Sequence, residues 1–96
     1  MEHIYVVTYD ISDPVTWRAV YRTMQGYGEW LQLSVFQCRL DRARHAELIA
    51  DLDRIIDHGD DHVIIFDMGP ALGVRSRVVS LGKSAYEPVS LRSLVV

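Results

Sequence analysis

No apolar run in this sequence is long enough to span a bilayer. Its first residues lack a basic region followed by an apolar stretch, so no secretory leader is expected. Cysteine is nearly absent. Cys38 stands alone, which excludes an intrachain disulfide and fits a reducing, cytoplasmic setting. No histidine or basic cluster is placed by sequence to activate that thiol, so Cys38 reads as a small buried hydrophobe. An excess of positive charge is also missing: 10 Lys and Arg stand against 13 Asp and Glu, for a formal net charge of −3. Any binding to nucleic acid must therefore use a local basic patch. There is no low-complexity segment and no internal repeat. What the chain does have is apolar content, 49% of only 96 residues. A single domain of this size buries about two-thirds of its unfolded surface, so part of that apolar surface is expected to be shared with a second chain.

The chain is organised around His3 to Asp13, HIYVVTYDISD. Ile4 to Tyr9 is a run of β-branched and aromatic residues that suits a central strand buried on both faces. Asp10 then appears where the strand ends. Asp13 is a good helix N-cap, and Pro14 fits the first helical position. A charge at the end of a buried strand is costly unless it is solvated, hydrogen-bonded or bound to a cation. Asp10 therefore either shapes the turn by accepting backbone N–H groups, or ligates a hard cation such as Mg²⁺.

From Pro14 to about Gly26, Trp17, Val20, Tyr21, Met24 and Tyr27 share one helical face. Arg18 and Arg22 lie one turn apart on the opposite face, and Gly26 and Gly28 stop the helix. Glu29 to Leu40 reads as one strand whose phase slips between Val35 and Phe36, as at a β-bulge. Asp41 can cap a second helix running to about His58, with His45, Leu48, Ile49, Leu52, Ile55 and Ile56 on its apolar face. The acidic stretch Asp57 to His62 reads as a solvated turn, because its residues are adjacent and not at metal-ligand spacing. His62 to Met68 is strand-like. Arg75 to Leu81 is expected to form a further strand, with Arg75 and Arg77 on one side. Gly82 to Pro88 is a connector, and Val89 to Val96 a last, surplus strand that needs another sheet edge.

The order strand, helix, strand, strand, helix, strand, then an appended strand, is the α+β ferredoxin-like pattern βαββαβ. Residues 1–82 are assigned to the core, and residues 83–96 to a linker and extra strand of the same domain. Both helices cover one face of an antiparallel sheet. The other face needs cover, so homodimerisation through the sheet faces is expected.

Three stretches then carry a family likeness: Tyr9-Asp10-Ile11-Ser12-Asp13 ending the first strand, Tyr27-Gly28 closing the first helix, and Gln32-Leu33-Ser34-Val35-Phe36. With the βαββαβ plan and the extra C-terminal strand, the chain resembles the CRISPR-associated protein 2 family over almost its whole length. The resemblance implies a homodimer that bridges dimers of the CRISPR-associated protein 1 integrase, and with it captures new spacer DNA and inserts it into the CRISPR array. It also implies an alternative, a metal-dependent endonuclease acting on RNA or double-stranded DNA. There, Asp10 of each chain would meet its mate across the two-fold axis and hold Mg²⁺ or another divalent cation, as both catalytic and metal-binding residue. The basic cluster common after the first Asp pair is reduced here to Arg18 and Arg22, and Leu33 stands where an aromatic is usual.

Two functions compete on this reading. A non-catalytic scaffold needs a basic stripe, for which Arg18, Arg22, Arg75 and Arg77 are the candidates, and a dock for the integrase, for which Val89 to Val96 is the candidate. A Mg²⁺-dependent phosphodiesterase needs the paired Asp10 and a water nucleophile, and no histidine is placed by sequence as its general base. A ferredoxin-like module binding a small ligand would want a glycine-rich loop, and none is evident.

Overall fold

The computed structural model describes residues 1–74 and 79–82. Strand β1 runs His3–Asp10, helix α1 Pro14–Gln25, strand β2 Gly28–Gln32, strand β3 Val35–Leu40, helix α2 Arg42–Ile55, strand β4 His62–Pro70, and a short helix α3 Ala71–Val74. The strands form one sheet in the order β2-β3-β1-β4, with every neighbouring pair antiparallel. That is the ferredoxin-like arrangement. β1 lies between β3 and β4, as its continuous run of β-formers requires.

The expected caps are in place. Asp13 accepts the Thr16 N–H at 3.0 Å, and Asp41 accepts the Arg44 N–H at 2.8 Å. The apolar stripe of α1 packs as its spacing demands: Val20 and Met24 are fully buried, with Trp17, Tyr21 and Tyr27 against them. α2 contributes Leu48 and Leu52. Ile49, assigned to the same apolar face, is instead exposed, because it sits one position round the helix from Leu48. α2 also stops at Ile55, short of His58, and the Ile56 backbone is extended. On the sheet, Tyr5, Val7 and Tyr9 of β1 and Phe36, Cys38 and Leu40 of β3 complete the core. Burial pushes the Cys38 thiol up to about 12, so it is held as an unreactive hydrophobe.

Two sequence expectations are corrected here. Glu29 to Leu40 is not one strand with a bulge but a hairpin, turning at Leu33 and Ser34. The phase slip is the change of strand. Leu33 takes a positive φ of 41°, which costs a branched residue ~1 kcal/mol or more. Side chains brace the turn. Trp30 Nε1 donates to the Leu33 carbonyl at 2.8 Å, and Trp17 Nε1 donates to Ser34 Oγ at 3.1 Å. Second, the fourth core strand is His62–Pro70, and the βαββαβ set is complete there. Val79 to Leu81 lie outside any strand and are exposed; the rest of the strand expected over Arg75 to Leu81, and the one expected over Val89 to Val96, lie outside the described residues.

The acidic turn is held by its own backbone. Asp57 Oδ1 accepts the Gly59 N–H at 2.9 Å, and Asp61 Oδ2 accepts the Asp57 N–H at 2.8 Å. No helix among the described residues is long and apolar enough to cross a membrane.

Candidate metal and nucleic-acid site

Alternation along β1 sends Tyr5, Val7 and Tyr9 toward the helices and Ile4, Val6, Thr8 and Asp10 to the other face. The pairing register extends that second face. Val35 lies opposite Thr8 and Gln37 opposite Val6 on β3, while Phe66, Ile64 and His62 of β4 lie opposite Val6, Thr8 and Asp10. Ile64 is 40% and Phe66 48% exposed there, large values for residues of a four-stranded sheet. Asp10 thus sits at the end of a helix-free, partly apolar face.

Asp10 is exposed, and no described residue donates a hydrogen bond or an ion pair to its carboxylate. The turn-shaping role belongs to Asp13, three residues on, whose Oδ2 takes both the N–H and the hydroxyl of Thr16, at 3.0 and 2.9 Å. The Thr16 N–H, then its hydroxyl, hold the Asp13 carboxyl below its ordinary range. A depressed folded-state pKa contributes stability above the ordinary carboxylate range that is lost as pH falls through the folded value. Asp13→Ala is therefore expected to lower the melting temperature at neutral pH, and the difference from wild type to close in acid. Asp10→Asn is expected to leave the neutral-pH melting temperature unchanged or raised. Thermal scans of both variants at several pH values check this.

Among the described residues, no group of three or more His, Cys, Asp or Glu could hold a metal ion. One chain therefore offers a cation a single strand-end carboxylate, Asp10, which fits Mg²⁺ only if a second carboxylate is supplied from elsewhere. The structure does place one residue that sequence reasoning missed. His62 stands directly across from Asp10 in the β1–β4 register, on the same face. Its partner is 52 positions away, so no local pattern could reveal it.

Arg18 and Arg22 are exposed on α1. Among the described residues neither takes part in an ion pair, whereas Arg39, Arg44 and Arg54 are held by Glu2, Glu47 and Asp51. They lie in the helix layer, and Asp10 faces away from it, so the structure does not gather the expected residues into one concave site. Arg75 and Arg77 lie outside the described residues. Tyr9, beside Asp10, is turned into the core against Trp17 and Phe36, and burial pushes its hydroxyl up to about 12. It is not a base.

A second polar cluster occupies the other end of β1. His3 Nδ1 lies 2.8 and 3.1 Å from the two carboxylate oxygens of Asp67. The ring of Tyr5 stacks on His3 at 6.1 Å and on His45 of α2 at 4.1 Å. Sequence reasoning assigned His45 to the apolar face of α2 and gave His3 and Asp67 no role.

The family of CRISPR associated protein Cas2 matches residues 3–71 of this chain. A Geobacter sulfurreducens protein named CRISPR-associated endoribonuclease Cas2 is 48% identical over 96 residues, all of both chains. One from Rhodospirillum rubrum, named CRISPR-associated endoribonuclease Cas2 1, is 50% identical over 99% of this chain and 92% of its own. Among solved structures, Streptococcus pyogenes Cas2 superposes with a TM-score of 0.74 at 30% identity, covering 82% of this chain and 99% of that one. A hypothetical protein from Thermus thermophilus gives 0.77 at 28% identity, over 93% and 100%. With its fold, its strand-end Asp10 and relatives matched along their whole length, this chain belongs to the CRISPR-associated protein Cas2 family.

Proposed function

We propose that this chain acts in CRISPR adaptation as a homodimeric scaffold, which with the CRISPR-associated protein 1 integrase binds and integrates new spacer DNA. The observation that carries this reading is the helix-free sheet face, where Ile64 and Phe66 remain exposed in the single chain. Two such faces packed about a two-fold axis bury that surface. The reading is cytoplasmic, in keeping with a free, buried Cys38.

DNA contacts would come from Arg18 and Arg22, whose guanidinium groups are not consumed by carboxylates of the described residues, with Arg75 and Arg77 as further candidates. Such a stripe reads charge and not sequence. The double variant Arg18→Ala, Arg22→Ala should bind DNA of any sequence more weakly, with a shallower dependence of log affinity on log salt, by about 2 in slope. Titrations at several salt concentrations measure it, and an unchanged slope would leave both arginines as plain solvated surface.

A second reading, a Mg²⁺-dependent endonuclease acting on RNA or double-stranded DNA, is favoured by one observation. The uncommitted Asp10 carboxylate lies on the same face as Ile64 and Phe66, so face-to-face packing would bring two copies toward each other. The relatives from G. sulfurreducens and R. rubrum are named endoribonucleases. A bound divalent ion would supply an activated water at neutral pH. This chain's own part would be to present Asp10 as ligand, with His62 beside it as a proton-accepting group. Asp10→Asn separates the readings. Mg²⁺ should raise the melting temperature of wild type and not of the variant, since a ligand of the folded state stabilises by mass action. Spacer acquisition should survive the substitution. Its loss, with dimer and integrase binding intact, would overturn the scaffold in favour of catalysis.

A further inference from the structure

The cluster around His3 breaks the inside-outside pattern of the fold at three places that converge. On β4, Val63 and Ile65 turn toward the helices, and the next position on that side is Asp67. On β1 the side chain preceding Tyr5 on the inner face is His3, and on α2 the inward position in the first turn is His45. A β-bulge is part of the construction. Between the pairs Tyr5↔Asp67 and His3↔Pro70, β1 has one residue and β4 has two, Met68 and Gly69, with Gly69 at φ 97°. The bulge lets Asp67 Oδ1 accept the Gly69 N–H at 2.8 Å while the same carboxylate grips His3. Polar residues at three core-facing positions on three elements are the kind of local-rule violation that marks a site. They line an open cleft of about 700 Å³ with Asp41 and Arg42.

The cleft's hydrogen-bonding groups divide by commitment. Both carboxylates are engaged: Asp67 by His3 and Gly69, and Asp41 by the Arg44 N–H at 2.8 Å. With Nδ1 bound to an acceptor-only carboxylate, His3 carries its proton there and is fixed in orientation, leaving Nε2 for a further partner. Neither His45 nor Arg42 has a hydrogen-bond partner among the described residues. What remains uncommitted is two imidazoles and a guanidinium, which are donors when the imidazoles are charged. These residues do not form a metal site, since no such group exists among the described residues.

We propose that this cleft binds a phosphomonoester. A tetrahedral dianion offers three oxygens, one each to His3, His45 and Arg42, where a carboxylate offers two. The cleft volume is in the range that takes a ligand of nucleotide size. The phosphate can be carried by a free mononucleotide or by the 5′ end of a nucleic-acid strand. The site is at the opposite end of β1 from Asp10, and its occupancy depends neither on a metal nor on cleavage.

Isothermal titration of the full chain with AMP, adenosine and inorganic phosphate tests it. AMP and phosphate are expected to bind, and AMP to bind about tenfold or more tightly than adenosine. Arg42→Ala, at an exposed position that does not disturb the core, should weaken AMP by about tenfold, and His45→Gln by a similar factor. Arg54→Ala, near the far end of α2, should bind AMP as wild type does. Single-stranded oligonucleotides with and without a 5′ phosphate separate the sources. A preference for the phosphorylated strand assigns the cleft to strand ends, and equal affinities beside tight AMP assign it to free nucleotides. AMP binding no tighter than adenosine, or unchanged in both Arg42→Ala and His45→Gln, overturns the proposal.

Discussion

Phe66→Glu is expected to convert the dimer to monomers at micromolar concentration without unfolding the chain. Phe66 lies on the face away from the helices, opposite Val6, and is 48% exposed in the single chain, so the core does not depend on it. In a two-fold assembly one substitution acts twice. Each copy forfeits the transfer of a large apolar side chain, roughly 1.5–3 kcal/mol, and adds a charge that must be desolvated. At about 1.4 kcal/mol per factor of ten, the dissociation constant should rise by at least roughly a thousandfold. Sedimentation velocity over a concentration series reads this directly, with circular dichroism to show that the fold persists. A variant that sediments as wild type would place the dimer contact on another surface and remove the main support for the scaffold reading.

Gly28→Ala is expected to be the most damaging small substitution in the described chain. A Cβ built there would lie 2.2 Å from the Gln37 carbonyl oxygen, 2.6 Å from Cys38 Sγ and 2.9 Å from Cys38 Cα. Two of those atoms are backbone of the paired strand β3, and the third belongs to a fully buried residue, so no flexible side chain can yield. β2 must shift away from β3 at its first residue. The cost should be about 3 kcal/mol, at the upper end for overpacking. Gly73→Ala is the control, because a Cβ there meets nothing within 4 Å, and it should be neutral or slightly stabilising. Urea unfolding of the two variants gives the comparison, and equal midpoints would show that the β2–β3 contact is looser than its geometry requires.

Gly28 also marks the limit of reading by pattern. In the sequence it appears as a helix stop. In the structure the helix ends at Gly26 with an ordinary right-handed φ of −79°, and Gly28 is required by the close approach of β3. The stop needs no glycine there, while the strand contact does. The hairpin at Leu33 and Ser34 was illegible for a related reason. It carries none of the Gly, Asn, Asp or Pro chemistry that announces a turn, and is held instead by indole N–H groups of Trp30 and of Trp17, a residue on another element.

The sequence by itself determined the caps at Asp13 and Asp41, the buried stripe of α1, the central place of β1, the burial of Cys38, and the strand-end position of Asp10. Each is set by neighbours within one turn or one strand, where spacing and side-chain chemistry act directly. Only the tertiary structure decided that His62 faces Asp10, that Asp67 grips His3 against Tyr5 and His45, and that Ile64 and Phe66 share a face with Asp10. Those relations depend on strand register, and a shift of one residue would send every side chain to the opposite face. Register is chosen by the packing of the whole sheet against α1 and α2, which no window of the sequence contains.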